Sequence, residues 1–393
     1  MIVNEFIIYL GALLLTLALL ASFLNPFFRV WKLTRKENNK LEKEDSERKY
    51  PKVSVLVVAL EQTQQLKDNL LRLLKQDYPN DFEVIVMGNQ DDNETIDILK
   101  QFSADKHLYC TFIPRSSRYM SRHKLAITLG VKAAKFDWIL LTEARCYPES
   151  DKWLCTMTEV CKDDMSIVMG YANYNNSTSP FYRFEHLHTA CYQLYEGAKS
   201  KAFRTNSANL LFKKQAFING DGFVGNLNYP RGEFDYLVNK YAQSDCSAIS
   251  IGQQAKLVMV KPLEKEWMDE ALHAKAVTPT LHRRWRLAIQ KTMDALLLFA
   301  YIVVFFASFW VTYQLINAGQ TFQGALLSAC VILSLIILLW LRLYFAHKTY
   351  SFFNEQLSLW KSAFYLLRLP LHWLNVKIHY VLCDKHEFTT HKI

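Results

Sequence analysis

Apolar positions along this chain fall into two kinds of run. Three are long and almost wholly apolar: Phe6–Leu24, Ala295–Ile316 and Ala325–Phe345. As a helix, the first reaches roughly 28 Å at 1.5 Å per residue, about the hydrocarbon thickness of a bilayer. Three membrane spans are therefore expected. The other runs are short and bounded by polar residues: Val53–Leu60, Phe82–Met87, Leu108–Ile113 and the run that starts at Trp138. Their length predicts buried strands. Between them, Gln65–Leu74, the acidic stretch opening at Asp91, and Ser121–Ala134 carry helical signals. The alternation predicts an α/β fold with a parallel sheet and right-handed crossovers. After Ser150 it becomes irregular, with strands near Met165–Tyr171 and Ser207–Phe212 and a helix over Phe181–Lys201.

Charge orients the spans. Glu5 precedes the first, and Arg29, Lys32, Arg35 and Lys36 follow it, which reads as a retained anchor with its C-terminal end in the cytoplasm. Arg283, Arg284, Arg286 and Lys291 come before the second span, and Arg342 and Lys348 flank the third. The loop Asn317–Gln323 between them has no charge, so it is expected outside. Leu357–Leu382 is rich in leucine and aromatics but holds Lys361, Arg368, Lys377 and Pro370. It is too charged to span and is expected in the membrane interface; a fourth span is the alternative. The expected division is an anchor over 1–28, a charged linker over 29–50, an α/β domain over 51–265, an amphipathic connector over 266–292, two spans over 293–346 and an interfacial segment over 347–393.

The chain has 393 residues, 51% of them hydrophobic, too many for a disordered protein, and its net charge is +9. Basic charge suits an anionic membrane surface, anionic substrates or nucleic acid. No aromatic and basic platform supports nucleic acid, so none is expected as a partner. The eight cysteines include no CxxC and read as reduced, in a cytosolic domain. His186-x-His188 reads as packing or surface rather than metal binding.

The chemistry is expected at Asp137-Trp-Ile-Leu-Leu-Thr-Glu143-Ala-Arg145. This run predicts a central strand ending in charge, and open α/β sheets bind ligands beyond the carboxyl ends of such strands. A plain strand end with solvated charges would look the same.

Several stretches, in order and spacing, resemble the membrane-anchored family 2 glycosyltransferases with a GT-A fold, in particular those of Bacteroidetes-type bacteria. They include Val53-Ser-Val, Gln76-Asp-Tyr-Pro79, Lys124-Leu-Ala-Ile-Thr-Leu-Gly130, Leu141-Thr-Glu-Ala-Arg-Cys-Tyr-Pro148, Asn209-Leu-Leu-Phe-Lys-Lys214 and Gly232-Glu-Phe-Asp-Tyr-Leu-Val-Asn239. The similarity covers about residues 50–265. The resemblance implies inverting transfer of a sugar from a nucleotide-sugar donor, at the cytoplasmic face of a bacterial inner membrane, to a lipid-linked or polysaccharide acceptor. Other polysaccharide-assembly proteins are implied partners. It also implies a divalent cation (Mg²⁺ or Mn²⁺) on a D-x-D motif and an Asp base in an E-D motif.

This sequence departs at the charged positions. The acidic pair expected after Val86-Met87 reads Gly88-Asn89, the D-x-D place reads Glu143-Ala-Arg145, and the E-D place reads Glu233-Phe234, with Asp235 next. By resemblance, Asp235 and then Glu233 are the candidate bases. Glu61, Asn89, Asp91, Lys124, Glu143 and Arg145 are the candidate donor-binding residues, with Glu143 the one candidate metal ligand. A guanidinium repels a cation but binds diphosphate oxygens directly. Arg145 therefore either stands in for the metal or makes a structural pair with Glu143 or Glu233. Arg283-Arg-Trp285 partly resembles the Q-x-x-R-W signature of processive members, with Leu281 at the Gln place, and equally fits an interface anchor. Two functions follow: an active glycosyltransferase, or a catalytically impaired relative acting as a binding or scaffold subunit.

Overall fold

The computed structural model describes residues 2–41, 50–60, 63–114, 120–242, 246–260 and 264–389. Glu61, Arg115 and Arg118 lie outside these. The strands are β1 (Val53–Val58), β2 (Phe82–Asn89), β3 (Leu108–Ile113), β4 (Trp138–Glu143), β5 (Cys146–Pro148), β6 (Ile167–Gly170), β7 (Ala172–Tyr174), β8 (Leu210–Lys213), β9 (Ser247–Ser250) and β10 (Leu257–Met259). The helices before the sheet are α1 (Ile2–Phe23) and α2 (Pro26–Leu41). Within the α/β part come α3 (Thr63–Leu74), α4 (Asn93–Gln101), α5 (Arg122–Ala133), α6 (Trp153–Thr158), α7 (Pro180–Gly197), α8 (Lys214–Asn219), α9 (Glu233–Tyr241) and α10 (Glu264–Val277). Last are α11 (Trp285–Asn317), α12 (Thr321–Phe352) and α13 (Leu359–Leu382).

The chain divides into two units, one comprising residues 34–284 and 371–393, the other 1–33 and 285–370. In the first, seven strands form a sheet in the order β3-β2-β1-β4-β8-β6-β9. Pairings among β1 to β4 are parallel, as crossover helices require. The expectation of a parallel sheet fails beyond them, because β8 runs antiparallel to both β4 and β6. The strand–helix alternation breaks after Ser150, so no regular crossover reaches β8. A second sheet has the order β5-β10-β7.

Alternate side chains of the central strands enter different cores. Val53, Val55 and Val57 of β1 and Leu140 of β4 join one core with Leu66, Leu70 and Leu73 of α3. Leu56, Val58, Ile139 and Leu141 join the other with Ala126, Ile127 and Val131 of α5. Burial on both faces explains why these runs are apolar throughout. Gly130 lets α5 lie close on β1, since a Cβ there would sit 2.3 Å from Leu56 Cδ1. Because β1 pairs with β2 on one side and β4 on the other, the strand order reverses between β1 and β4. Val58 is in register with Glu143, so the carboxyl end of β4 lies at this switch point.

α10, expected as part of a connector, belongs to this α/β unit, and its Trp267 is in the same core as β1 and α3. Residues 371–389 also pack here: Phe388 clusters with Leu272 and Ala276 of α10, and Tyr380 and Cys383 join them.

In the other unit, Glu5–Phe23, Trp285–Asn317 and Thr321–Phe352 are each long and apolar enough to cross a membrane. The linker expected from residue 29 begins as the helix α2. α1, α11 and α12 meet at a buried charge pair. Arg342 donates from Nη2 to Asp294 Oδ1 at 2.7 Å, and from Nε and Nη2 to the Ala21 carbonyl at 3.1 and 2.8 Å. Arg342 is 5% exposed.

Candidate functional site

The turn after β4 is fixed by its backbone. Ala144 N–H donates to the Val58 carbonyl (3.0 Å), Asn69 of α3 donates to the Ala144 carbonyl (2.7 Å), and Val260 N–H donates to the Arg145 carbonyl (2.9 Å). The turn presents Glu143 and Arg145 together. Arg145 Nε donates to Glu143 Oε2 at 2.7 Å, and its Nη1 donates to Glu270 Oε1 of α10 at 2.6 Å. The Tyr174 hydroxyl donates to Glu270 Oε2 at 3.4 Å. A guanidinium thus sits between two carboxylates. Burial alone would push the Glu143 carboxyl up, but Arg145 and also His123 and Arg231 outweigh it and hold it below the usual range. Burial would lower the Arg145 pKa, yet Glu143 and Glu270 raise it well above its ordinary value.

The second cluster is at the start of α9. Gly232 takes φ +90°, a left-handed conformation, and a Cβ there would lie 2.7 Å from Val277. Glu233 follows, 8% exposed, and its Oε1 is buried and accepts no hydrogen bond from the described residues. Asp235 is held differently. Arg204 donates to it from Nη2 and, at 3.3 Å, from Nε, and Thr205 N–H donates to Oδ1 at 3.1 Å.

α5 connects these places. Its N-cap Ser121 accepts from Lys124 N–H. The Arg122 guanidinium donates to Asn89 Oδ1 at the end of β2. His123 acts electrostatically on Glu143. Lys124 is wholly buried and donates from Nζ to the carbonyl (2.5 Å) and Oδ1 (2.7 Å) of Asn226 and to the Tyr229 carbonyl. Burial pulls its pKa down to about 8, against the attraction of Glu233. Lys124 thereby ties down the loop that leads into Glu233. Replacing it by Met would leave three acceptors, two of them buried, without their donor. We expect lost stability, about 1–3 kcal/mol for each acceptor left dry, and faster amide exchange over residues 226–232, read by mass spectrometry on the full chain.

Among the expected residues, the structure brings Glu143 and Arg145 into contact. Arg231, which acts on Glu143, precedes Glu233 by two residues, and Glu233 acts on Lys124. Asn89 is joined through Arg122. Asp91 is exposed on the turn before α4, while Asp92 caps that helix through Thr95 N–H (3.0 Å). Of the pairs foreseen for Arg145, Glu143 is present, and the second partner is Glu270 rather than Glu233. Glu270 and Arg204 were missed. Glu266, Asp269 and Glu270 read as an ordinary solvated helix face, and Arg204 lies in a stretch without period. Among the described residues, no group of three or more His, Cys, Asp or Glu is arranged to hold a metal.

Residues 51–224 match the family model described as glycosyltransferase like family 2. No curated protein matches the chain. Among solved structures, a mannosyltransferase from Pyrobaculum calidifontis in complex with GDP-Man and Mn2+ is 15% identical with a TM-score of 0.49, covering 82% of this chain and 99% of that one. TarS of S. aureus is 15% identical with a TM-score of 0.37, covering 57% of this chain and 39% of that one. The α/β unit is built on a mixed sheet, its residues 51–224 match that glycosyltransferase model, and three helices of the chain are long and apolar enough to cross a membrane.

Proposed function

We propose that the chain transfers a sugar from a nucleotide-sugar donor to an acceptor hydroxyl, with inversion, and that Glu233 receives the hydroxyl proton. The observation that carries this reading is Glu233 Oε1, a buried carboxylate oxygen without a hydrogen bond from the described residues. Leaving such an acceptor dry costs about 1–3 kcal/mol or more. A bound acceptor hydroxyl would satisfy it. The acceptor oxygen bonds to the anomeric carbon as the bond from that carbon to the diphosphate oxygen breaks. The proton goes to Glu233, and the electron pair leaves with the nucleoside diphosphate. Asp235 is less suited, since Arg204 and Thr205 engage both its oxygens.

The family resemblance implies a divalent cation, and the donor set here does not fit one. Hard cations need free carboxylate oxygens, and Arg145 holds both Glu143 and Glu270. In this reading, guanidinium groups, Arg145 and Arg231 first, meet the departing diphosphate, which suits their planar donors. The basic flanks of the spans support a cytoplasmic domain on a bacterial inner membrane, with a lipid-linked or polysaccharide acceptor and polysaccharide-assembly proteins as partners.

The scaffold reading draws on the same ion pairs, since Arg145 and Asp235 are satisfied without any ligand. Detergent-purified full chain, given a panel of nucleotide sugars, separates the two. We expect release of nucleoside diphosphate, and donor binding unchanged by EDTA. Strict Mn²⁺ dependence would overturn the guanidinium reading. Binding without turnover for every donor and acceptor would favour the scaffold.

A further inference from the structure

The guanidinium assigned to the donor diphosphate already has protein partners. Arg145 commits Nε to Glu143 at 2.7 Å and Nη1 to Glu270 at 2.6 Å. A diphosphate oxygen brought to Nη1 would meet the Glu270 carboxylate in the same place, anion against anion. One of the two carboxylates has to yield, and their surroundings differ.

Glu143 is fixed. It lies two residues before Arg145, on the turn whose backbone is bonded to Val58, Asn69 and Val260. His123 and Arg231 attract it as well. Its side chain is 15% exposed. Glu270 comes from a separate element, α10, and its side chain is 29% exposed, which gives it the wider way out to water. Its other oxygen accepts from Tyr174 at 3.4 Å, a long hydrogen bond. The helix itself is anchored: Trp267, about one turn earlier, is 6% exposed in the core shared with β1 and α3. Exchange at Nη1 therefore needs only the rotation of one side chain.

We propose that Glu270 sets donor affinity by competing with the diphosphate for Nη1 of Arg145, and that the bound donor displaces it. The inference rests on the proposed reading of Arg145 as a diphosphate ligand. A phosphate oxygen in the place of Glu270 keeps Nη1 in a charge-assisted bond, while the released carboxylate is hydrated. A residue that merely aimed Arg145 would act with the opposite sign: its loss would loosen the guanidinium and weaken binding.

The test is calorimetric titration of the full chain in detergent, with EDTA present, using UDP, GDP, CDP, dTDP and inorganic pyrophosphate. Glu270→Gln keeps the shape of the side chain and makes the bond to be broken a neutral one. It should tighten nucleoside diphosphate binding about tenfold, since a charge-assisted bond is roughly twice as strong as a neutral one. Tyr174→Phe removes the second hold on Glu270 and should tighten binding less, about two- to threefold. Asp269→Asn makes the same change of charge at the neighbouring, exposed position of α10 and should leave affinity as it was. Unchanged or weaker binding in Glu270→Gln would overturn the proposal. So would an equal gain in Asp269→Asn, which would mean that net charge alone acts. If no probe bound to the parent or to any variant, the reading of Arg145 would fail and take this inference with it. Binding in the expected order without sugar transfer would uphold the inference and count against the transferase.

Discussion

Replacing Glu233 by Gln should lower turnover by about 10²–10⁴, the rate a positioned general base is typically worth, equivalent to roughly 3–5 kcal/mol of barrier. The change keeps the shape of the side chain and removes its capacity to take a proton. Donor binding should stay near its original strength, because Arg145 and Arg231, which face the diphosphate in this reading, are untouched. Asp235→Asn should behave differently: it weakens the grip of Arg204 and Thr205 and so lowers the melting temperature, with a smaller loss of turnover per folded molecule. Measuring kcat, donor Kd and Tm on all three proteins checks the assignment. Wild-type turnover in the Gln variant would end the case for Glu233.

The second large effect is expected in the other unit. Asp294→Ala would strand Arg342 among α1, α11 and α12, where it is 5% exposed. Removing one partner of a buried pair typically costs about 3–5 kcal/mol, because an uncompensated charge remains, whereas replacing both partners by apolar groups is often neutral or better. The single variant should therefore melt well below the parent in detergent. Asp294→Leu combined with Arg342→Leu should recover most of the loss, although the bonds to the Ala21 carbonyl are gone. A double variant as unstable as the single one would mean that the carbonyl contact, rather than the charge, matters most.

How much of this was readable from residues alone depends on the range of the interaction. The strands β1 to β4 and the three spans announce themselves through local runs, because burial on both faces or in lipid demands uninterrupted apolar residues. The adjacency of Glu143 and Arg145 is equally local. β8 is a clear run too, but its direction depends on how the irregular chain after Ser150 returns to the sheet. Glu270 reaches Arg145 across 125 positions, and Arg204 reaches Asp235 across 31. Nothing in a helix of mixed charge marks which carboxylate will turn inward. Lys124 shows the same limit: nothing local in its motif announces that its ammonium meets three acceptors of the loop at Asn226 and Tyr229.

The close approach of Gly130 to Leu56 has a mechanical consequence. Arg122, His123 and Lys124 lie eight to six residues away along the same rigid rod, about 12 to 9 Å by helix rise. A methyl group added at Gly130 would act as a wedge near the short end of a lever. Any tilt it caused would be magnified at the far tip, displacing three neighbouring side chains that serve β2, β4 and the approach to α9 in one stroke.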